Sequence, residues 1–262
     1  MRKVLLTGAG GTIGSCLYEG LKKTGRYEIK AADLHEDRSR GIQAFDVTDK
    51  DKWVELTRGV DTILHFAWAK DEEDFLGKVL PINVTGAYYM YEAARVNGVR
   101  RVVFASSNHA TGFYPTGTSI TPESPYRPDS FYGVSKAYIE LLGRFYTDKH
   151  GLESVNIRIG NFPSDNRPHS ERSGHIWISN RDMVQLTERC MEAELKDKFL
   201  VLYGTSRNSD NYYDIGYLES LIGYKPQDDG EKLIEEAEAR GQEVKQDETA
   251  FQGGGYTQKE SK

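Results

Sequence analysis

The chain has 262 residues, 28% of them charged and 38% hydrophobic, with a formal net charge of −6 and two cysteines. That balance excludes collagen-like, low-complexity and disulfide-scaffold chains, and it argues against nucleic-acid or anionic-membrane partners, which need broad basic patches. No apolar run approaches the roughly 20 residues of a membrane-spanning helix, and Met1–Thr7 is too short and lacks the cleavage site of a signal peptide, so a reduced, cytoplasmic protein is expected.

Taken in order, residues 3–7 read as a short Val/Leu strand ending at Gly8, and 13–23 as a helix with apolar positions at Ile13, Leu17 and Leu21. Strands are expected at 28–32, closed by Asp33, and at 41–45, followed by a helix over 50–58 capped by Thr48 or Asp49. A nearly all-apolar strand follows at 62–67, then one long helix over 75–97, then a strand at 101–105 ending in Ser106-Ser107. Residues 108–128, with four prolines, read as a loop; 130–149 as a helix, 154–159 as a strand, 160–180 as a loop, 181–194 as a helix and 199–203 as a strand. Strands that are apolar throughout and separated by helices imply a parallel sheet covered on both faces. The expected fold is therefore α/β: a Rossmann-type doubly wound parallel sheet with a small C-terminal substrate-binding region. The division expected is 1–160 for the dinucleotide-binding part, 161–240 for the substrate region with the last elements, and 241–262 for a polar tail that wraps a surface or is partly disordered.

Gly8-Ala9-Gly10-Gly11-Thr12-Ile13-Gly14 lies between a strand and a helix. Glycines there let the backbone turn tightly and approach a pyrophosphate, whose charge the helix N-terminus then holds. Asp33 ends the next strand, where a carboxylate accepts both ribose hydroxyls and repels a 2′-phosphate; no arginine follows it, so NAD is favoured over NADP. Asp46 and Val47 end the third strand, where an adenine could sit. Tyr132 and Lys136, at i and i+4, share one helix face. An ammonium beside a tyrosine favours the phenolate and makes a general base of an otherwise poor one. Ser107 could hydrogen-bond the same substrate oxygen. Tyr-x-x-x-Lys alone is common in a chain with 16 tyrosines; its order after a glycine loop and a Ser-Ser strand end gives it meaning. The six histidines (35, 65, 109, 150, 169 and 175) show no ligand spacing with cysteines or carboxylates, so no metal is expected. Trp68 falls near the cofactor or in the core, and Tyr88, Tyr89 and Tyr91 suggest packing or a subunit face.

Together the glycine loop, Asp33, Ser107 and Tyr132-x-x-x-Lys136 resemble the extended short-chain dehydrogenase/reductase family. Within it, Phe104-Ala105-Ser106-Ser107-Asn108-His109, Gly112-Phe113-Tyr114-Pro115, Arg127-Pro128-Asp129, Asn156-Ile157-Arg158-Ile159-Gly160 and Phe251-Gln252-Gly253-Gly254 are similar to uronate dehydrogenases, so the likeness spans nearly the whole chain. It implies a catalytic trio of Ser107, Tyr132 and Lys136; NAD contacts from Gly8, Gly11, Thr12, Ile13, Gly14, Asp33, Asp46, Val47, Ala67, Asn83, Tyr132 and Lys136; and sugar contacts from Ser107, Asn108, His109, Tyr132, Asn161 and Arg172. Arg172 takes the position of a carboxylate-binding arginine, which a guanidinium fork suits. The pattern departs at Asn161-Phe162, where Ser-Cys is usual, and at Tyr212-Tyr213, where two tryptophans are usual. Arg172 also suits a phosphate, with Arg167, His169 and His175 as further donors. The resemblance thus implies oxidation of a hexuronic acid at C1. Three alternatives stand beside it: an NAD-dependent dehydrogenase of glucose 6-phosphate or another sugar, a nucleotide-sugar epimerase or dehydratase, and an NAD-sensing protein without activity. A homo-oligomer pairing the helices at 75–97 and 130–149 is also implied.

Overall fold

In a computed structural model, residues 1–69, 74–245 and 249–259 are described. Seven parallel strands form one sheet in the order β3-β2-β1-β4-β5-β6-β7. They are β1 (Arg2–Thr7), β2 (Tyr27–Asp33), β3 (Ile42–Ala44), β4 (Thr62–His65), β5 (Arg101–Ser107), β6 (Glu153–Ile159) and β7 (Phe199–Gly204). The order reverses between β1 and β4, which pair from Val4↔Thr62 to Thr7↔His65. A crevice opens there at the carboxyl ends of the strands, where doubly wound sheets bind ligands.

Strand alternation sends successive side chains to opposite faces. Val4, Leu6, Leu64, Val103 and Ala105 enter one core with α1 (Thr12–Lys23) and α6 (Asn180–Glu192). Leu5, Ile63, Val102 and Phe104 enter the other, with α2 (Lys50–Leu56), α3 (Gly86–Val96) and α4 (Phe131–His150). Fully buried Trp53 satisfies its indole by donating to the Val47 carbonyl at 2.8 Å. Asp49 caps α2 and Ser130 caps α4, whose other end closes on Gly151 in the left-handed conformation.

Two expectations need correction. The single helix over 75–97 is two segments, a π-helical stretch Phe75–Thr85 followed by α3. Pro81 lies within the first; it lacks an N–H and crowds the preceding turn, and the wider π-turn accommodates it. The loop over 160–180 contains the short helix α5 (Glu171–His175), held by a reciprocal capping box between Ser170 and Ser173. Two more helices, α7 (Leu218–Ile222) and α8 (Gly230–Ala239), follow β7. Of the expected tail, residues 246–248 and 260–262 lie outside the described residues, but 249–259 pack on the domain. There Gln252 is buried, its amide donating to the Pro115 and Thr118 carbonyls, and Gly253 N–H bonds the Gly112 carbonyl.

Along α4, Val134, Tyr138, Leu141 and Phe145 recur at helical spacing and are all exposed, and Tyr88 of α3 is exposed too. Tyr91 is instead core, stacked on Tyr146 with its hydroxyl 2.9 Å from Ser154 Oγ. Among the described residues no helix is long and apolar enough to cross a membrane.

Candidate active site

The groove at the switch point is a cavity of about 570 Å³ lined by Gly8, Gly11, Thr12, Ile13, Gly14, Asp33, Asp46, Val47 and Ala67. Two glycines are demanded by geometry. Gly8 sits at φ +75°, and a methyl there would overlap the Phe66 backbone; a methyl on Gly14 would overlap the Gly8 carbonyl. Gly11 is the N-cap of α1 and offers no side-chain acceptor, so the first-turn N–H groups stay open to the groove. Asp33 Oδ2 accepts the Gly10 N–H at 2.9 Å, which fixes the carboxylate beside the glycine turn. Asp46 also lines the groove, with Oδ1 engaged by Thr48 in a local turn. A glycine turn that tolerates no side chain, open helix donors and an acid at the end of β2 fit a dinucleotide.

A second cavity, of about 330 Å³, opens against the first. It is lined by Ser107, Asn108, His109, Tyr132, Asn161 and Tyr256, and it shares Ile13, Trp68 and Phe162 with the groove. The parallel register of β5 against β6 sets Ser107 opposite Ile159, which brings the Ser107–His109 turn and the Gly160–Phe162 turn to one rim. Ser107 caps the 3-10 turn Asn108–Thr111, its hydroxyl accepting the His109 N–H at 3.2 Å. Tyr132, second residue of α4, faces Trp68 at 6.3 Å and His109 at 5.8 Å between ring centroids.

Lys136 lies one turn further along α4 and beneath the cavity floor, 1% exposed. Its Nζ donates to the Ala105 carbonyl at 2.7 Å and sits 4.5 Å from the Trp68 centroid, 4.7 Å from Phe104 and 5.3 Å from Tyr132. Burial drives its pKa down to about 7, opposed by the charge of Glu140. Glu140 is itself fully buried; it pairs with Arg158 and accepts from Ser106 and Tyr126. Nearby His65 is buried against Thr7, and desolvation holds it neutral with a pKa of about 3.

Several expected residues sit differently from their assigned places. Asn83 is buried and does not line the groove: it accepts the Ala69 N–H at 2.8 Å and reaches Ser135 Oγ at 3.4 Å, so it clamps the Trp68–Ala69 turn to α4. Arg172 does not line the cavity either. Its Nε donates to the Gln252 carbonyl at 2.7 Å, and its charge reaches the hydroxyl of buried Tyr213, which neighbours Asn108. Arg167 and His169 line a separate cavity against α8, His169 pairing with Asp165, and so add no donors here. His175 pairs with Glu231 at 2.7 Å, and with Asp210 the three bring ligand atoms within 4.8 Å of one another, a grouping that sequence spacing does not reveal.

Two features of the site are not legible in the sequence. Tyr256, which lines the cavity, lies against His109 at 4.1 Å between centroids, and behind the lining Asp129 Oδ2 lies 2.7 Å from His109 Nδ1 with its side chain fully buried. The only signal for Asp129 was its place in Arg127-Pro128-Asp129; Tyr256 gave none, because it belongs to the stretch read as tail.

Residues 4–208 match the NAD dependent epimerase/dehydratase family. A uronate dehydrogenase of Pseudomonas syringae pv. tomato is 37% identical over 97% of this chain and 92% of its own length. An NAD-dependent glucose-6-phosphate dehydrogenase of Haloferax volcanii is 36% identical over 90% of this chain and 97% of its own. The crystal structure of a mutant uronate dehydrogenase from Agrobacterium tumefaciens complexed with NAD superposes with a TM-score of 0.89 at 32% identity, covering 99% of this chain and 98% of that one. With a matching family region that reaches every strand and takes in every lining residue of the two adjoining cavities but Tyr256, the chain belongs to the NAD dependent epimerase/dehydratase family.

Proposed function

We propose that this chain oxidises a hexuronic acid, glucuronate or galacturonate, at C1 to an aldarolactone, using NAD. One observation carries the reading: a groove fitted to a dinucleotide meets a polar cavity holding Ser107 and Tyr132 across the common wall of Ile13, Trp68 and Phe162. Similarity to uronate dehydrogenases over nearly the whole chain supports the substrate class. NAD, when bound, would supply a two-electron acceptor for the hydride of C1. Tyr132 removes the proton of the C1 hydroxyl, so that a C–H and an O–H bond break and the lactone C=O forms. The Lys136 ammonium, 5.3 Å from the Tyr132 ring, stabilises the phenolate. Ser107 orients the hydroxyl, while Asn108, His109 and Asn161 meet the sugar.

Arg172 stands outside the cavity, its Nε held by the Gln252 carbonyl and its charge reaching Tyr213 beside Asn108, so it favours the carboxylate by charge from behind the cavity wall and not by direct contact. A glucose 6-phosphate reading has support in the Haloferax relative. The geometry favours a carboxylate, because Arg167 and His169 point to another cavity and leave Arg172 without the company a phosphate dianion calls for. The exposed α4 stripe with Tyr88 suits an interface between two copies of the chain. The thiols of Cys16 and Cys190 are free, with pKa values pushed up by burial to about 11 and about 12, which suits a cytoplasmic home.

The test follows NAD reduction with glucuronate, galacturonate and glucose 6-phosphate, for wild type and Tyr132→Phe. Turnover on the uronates alone, lost in the variant while NAD affinity is kept, is expected. Turnover on the phosphosugar alone, or an active Tyr132→Phe, overturns the assignment.

A further inference from the structure

Asp129 is a buried carboxylate with an unusual environment. Its side chain is fully buried, and among the described residues its ion-pair partner is His109, with no lysine or arginine paired to it. Oδ2 lies 2.7 Å from His109 Nδ1, and Oδ1 accepts from Ser130 Oγ at 2.9 Å. The backbone repeats the pairing: Asp129 N–H bonds the His109 carbonyl, and Arg127 N–H bonds that of Ala110. Gly112 and Gly253 close on the carboxylate so tightly that a methyl on either would overlap Oδ2. The group therefore has one orientation. An ionised carboxylate only accepts, so the proton between it and the ring belongs to Nδ1.

We infer that Asp129 is a positioning residue: it holds His109 as the Nδ1–H tautomer and leaves Nε2 as a hydrogen-bond acceptor for a sugar hydroxyl in the cavity. The ring has little freedom to do otherwise. It lies between Tyr256 at 4.1 Å and Tyr132 at 5.8 Å, and the His109 backbone is tied to Ser107 Oγ. A carboxylate that bonds one imidazole nitrogen and so sets the tautomer is a familiar device where the other nitrogen does the binding. An acceptor aimed at the sugar complements Ser107 and Asn108, which can donate, and it would select the substrate by one hydroxyl. The sugar as ligand rests on the uronate reading; the tautomer does not.

Two measurements test this separately. Long-range proton–nitrogen NMR of the histidine-labelled protein should find His109 protonated at Nδ1 in the wild type. In Asp129→Asn an amide N–H can donate to Nδ1, and the proton should move to Nε2. An Nε2–H or doubly protonated ring in the wild type overturns the inference without any variant having to fold. In kinetics with glucuronate, Asp129→Asn should lower kcat/KM about tenfold, with NAD affinity kept. In a His109→Ala background the same substitution should cost nothing further. An equal additional loss in that background would make Asp129 merely structural and overturn the inference. A wild type that shows the tautomer but no turnover on uronates would count against the substrate reading and not against the dyad.

Discussion

Replacing Lys136 by methionine should abolish turnover yet make the fold more stable. The ammonium is 1% exposed, and burial takes its pKa from 10.5 to about 7. An unfolded lysine titrates near 10.4. Between about pH 7 and 10.5 the unfolded chain thus holds a proton that the native site has released, and stability rises with pH across that window. Below about pH 7 both states hold the proton, and the whole burial penalty is present. A fall of this size corresponds to about 5 kcal/mol. Losing the bond to the Ala105 carbonyl removes about 1 kcal/mol of favourable energy, while a methionine of similar length keeps contact with the Trp68 and Tyr132 rings. The variant should therefore exceed wild type by about 3–4 kcal/mol near pH 6, and the two should converge by about pH 10. Urea unfolding at fixed protein concentration, across that pH range, reads the difference. A difference that does not change with pH, or a variant less stable than wild type near pH 6, would refute the reasoning.

Gly14→Ala places a methyl into the Gly8 carbonyl and should abolish NAD binding, measurable by fluorescence titration, while the far strands keep their exchange protection. Asp33→Ala removes the acceptor of the Gly10 N–H and the acid beside the ribose seat; NAD affinity should fall by about tenfold, and preference for NAD over NADP should shrink. Glu140→Gln strands the Arg158 guanidinium, which is 1% exposed; the unfolding free energy should drop by about 3–5 kcal/mol, and a drop below about 1 kcal/mol would show that water reaches the pair.

What could be read from sequence was what is local in sequence. The glycine turn lies within seven residues, and Tyr132 and Lys136 lie one helical turn apart, so spacing alone places them. The sheet was legible because strands buried on both faces carry unbroken apolar runs, as Val102–Ala105 of β5 shows with four buried apolar residues in succession. The long helix failed at Pro81, where the hydrophobic rhythm continues but the hydrogen-bond ladder cannot. Helix α5 was hidden because five residues carry too little periodicity, and its serine capping box resembles loop composition. Asp129 and Tyr256 were out of reach for a different reason. Their meaning comes from His109, 20 positions before one and far before the other, through contacts that no periodicity encodes. The role expected for Asn83 moved from groove to scaffold because a buried amide must spend its donors and acceptors, and the Ala69 backbone was at hand.

The two glycines against Asp129 bear on how this sequence can drift. Gly112 lies in the loop after β5 and Gly253 in the C-terminal segment, and each meets the same carboxylate oxygen. Neither position tolerates a methyl while Asp129 is present, and removing the carboxylate vacates the space that forbids one at Gly253. Alanine at Gly253 should thus be harmful in the native background and tolerated beside Asp129→Ala, a reciprocal dependence of the kind called sign epistasis; at Gly112, where the Asp129 Cβ is also close, the relief needs Asp129→Gly. A surface segment that looks free to vary is in this way bound to a choice made in a different loop, and lineages that lose the acid should lose the glycines with it.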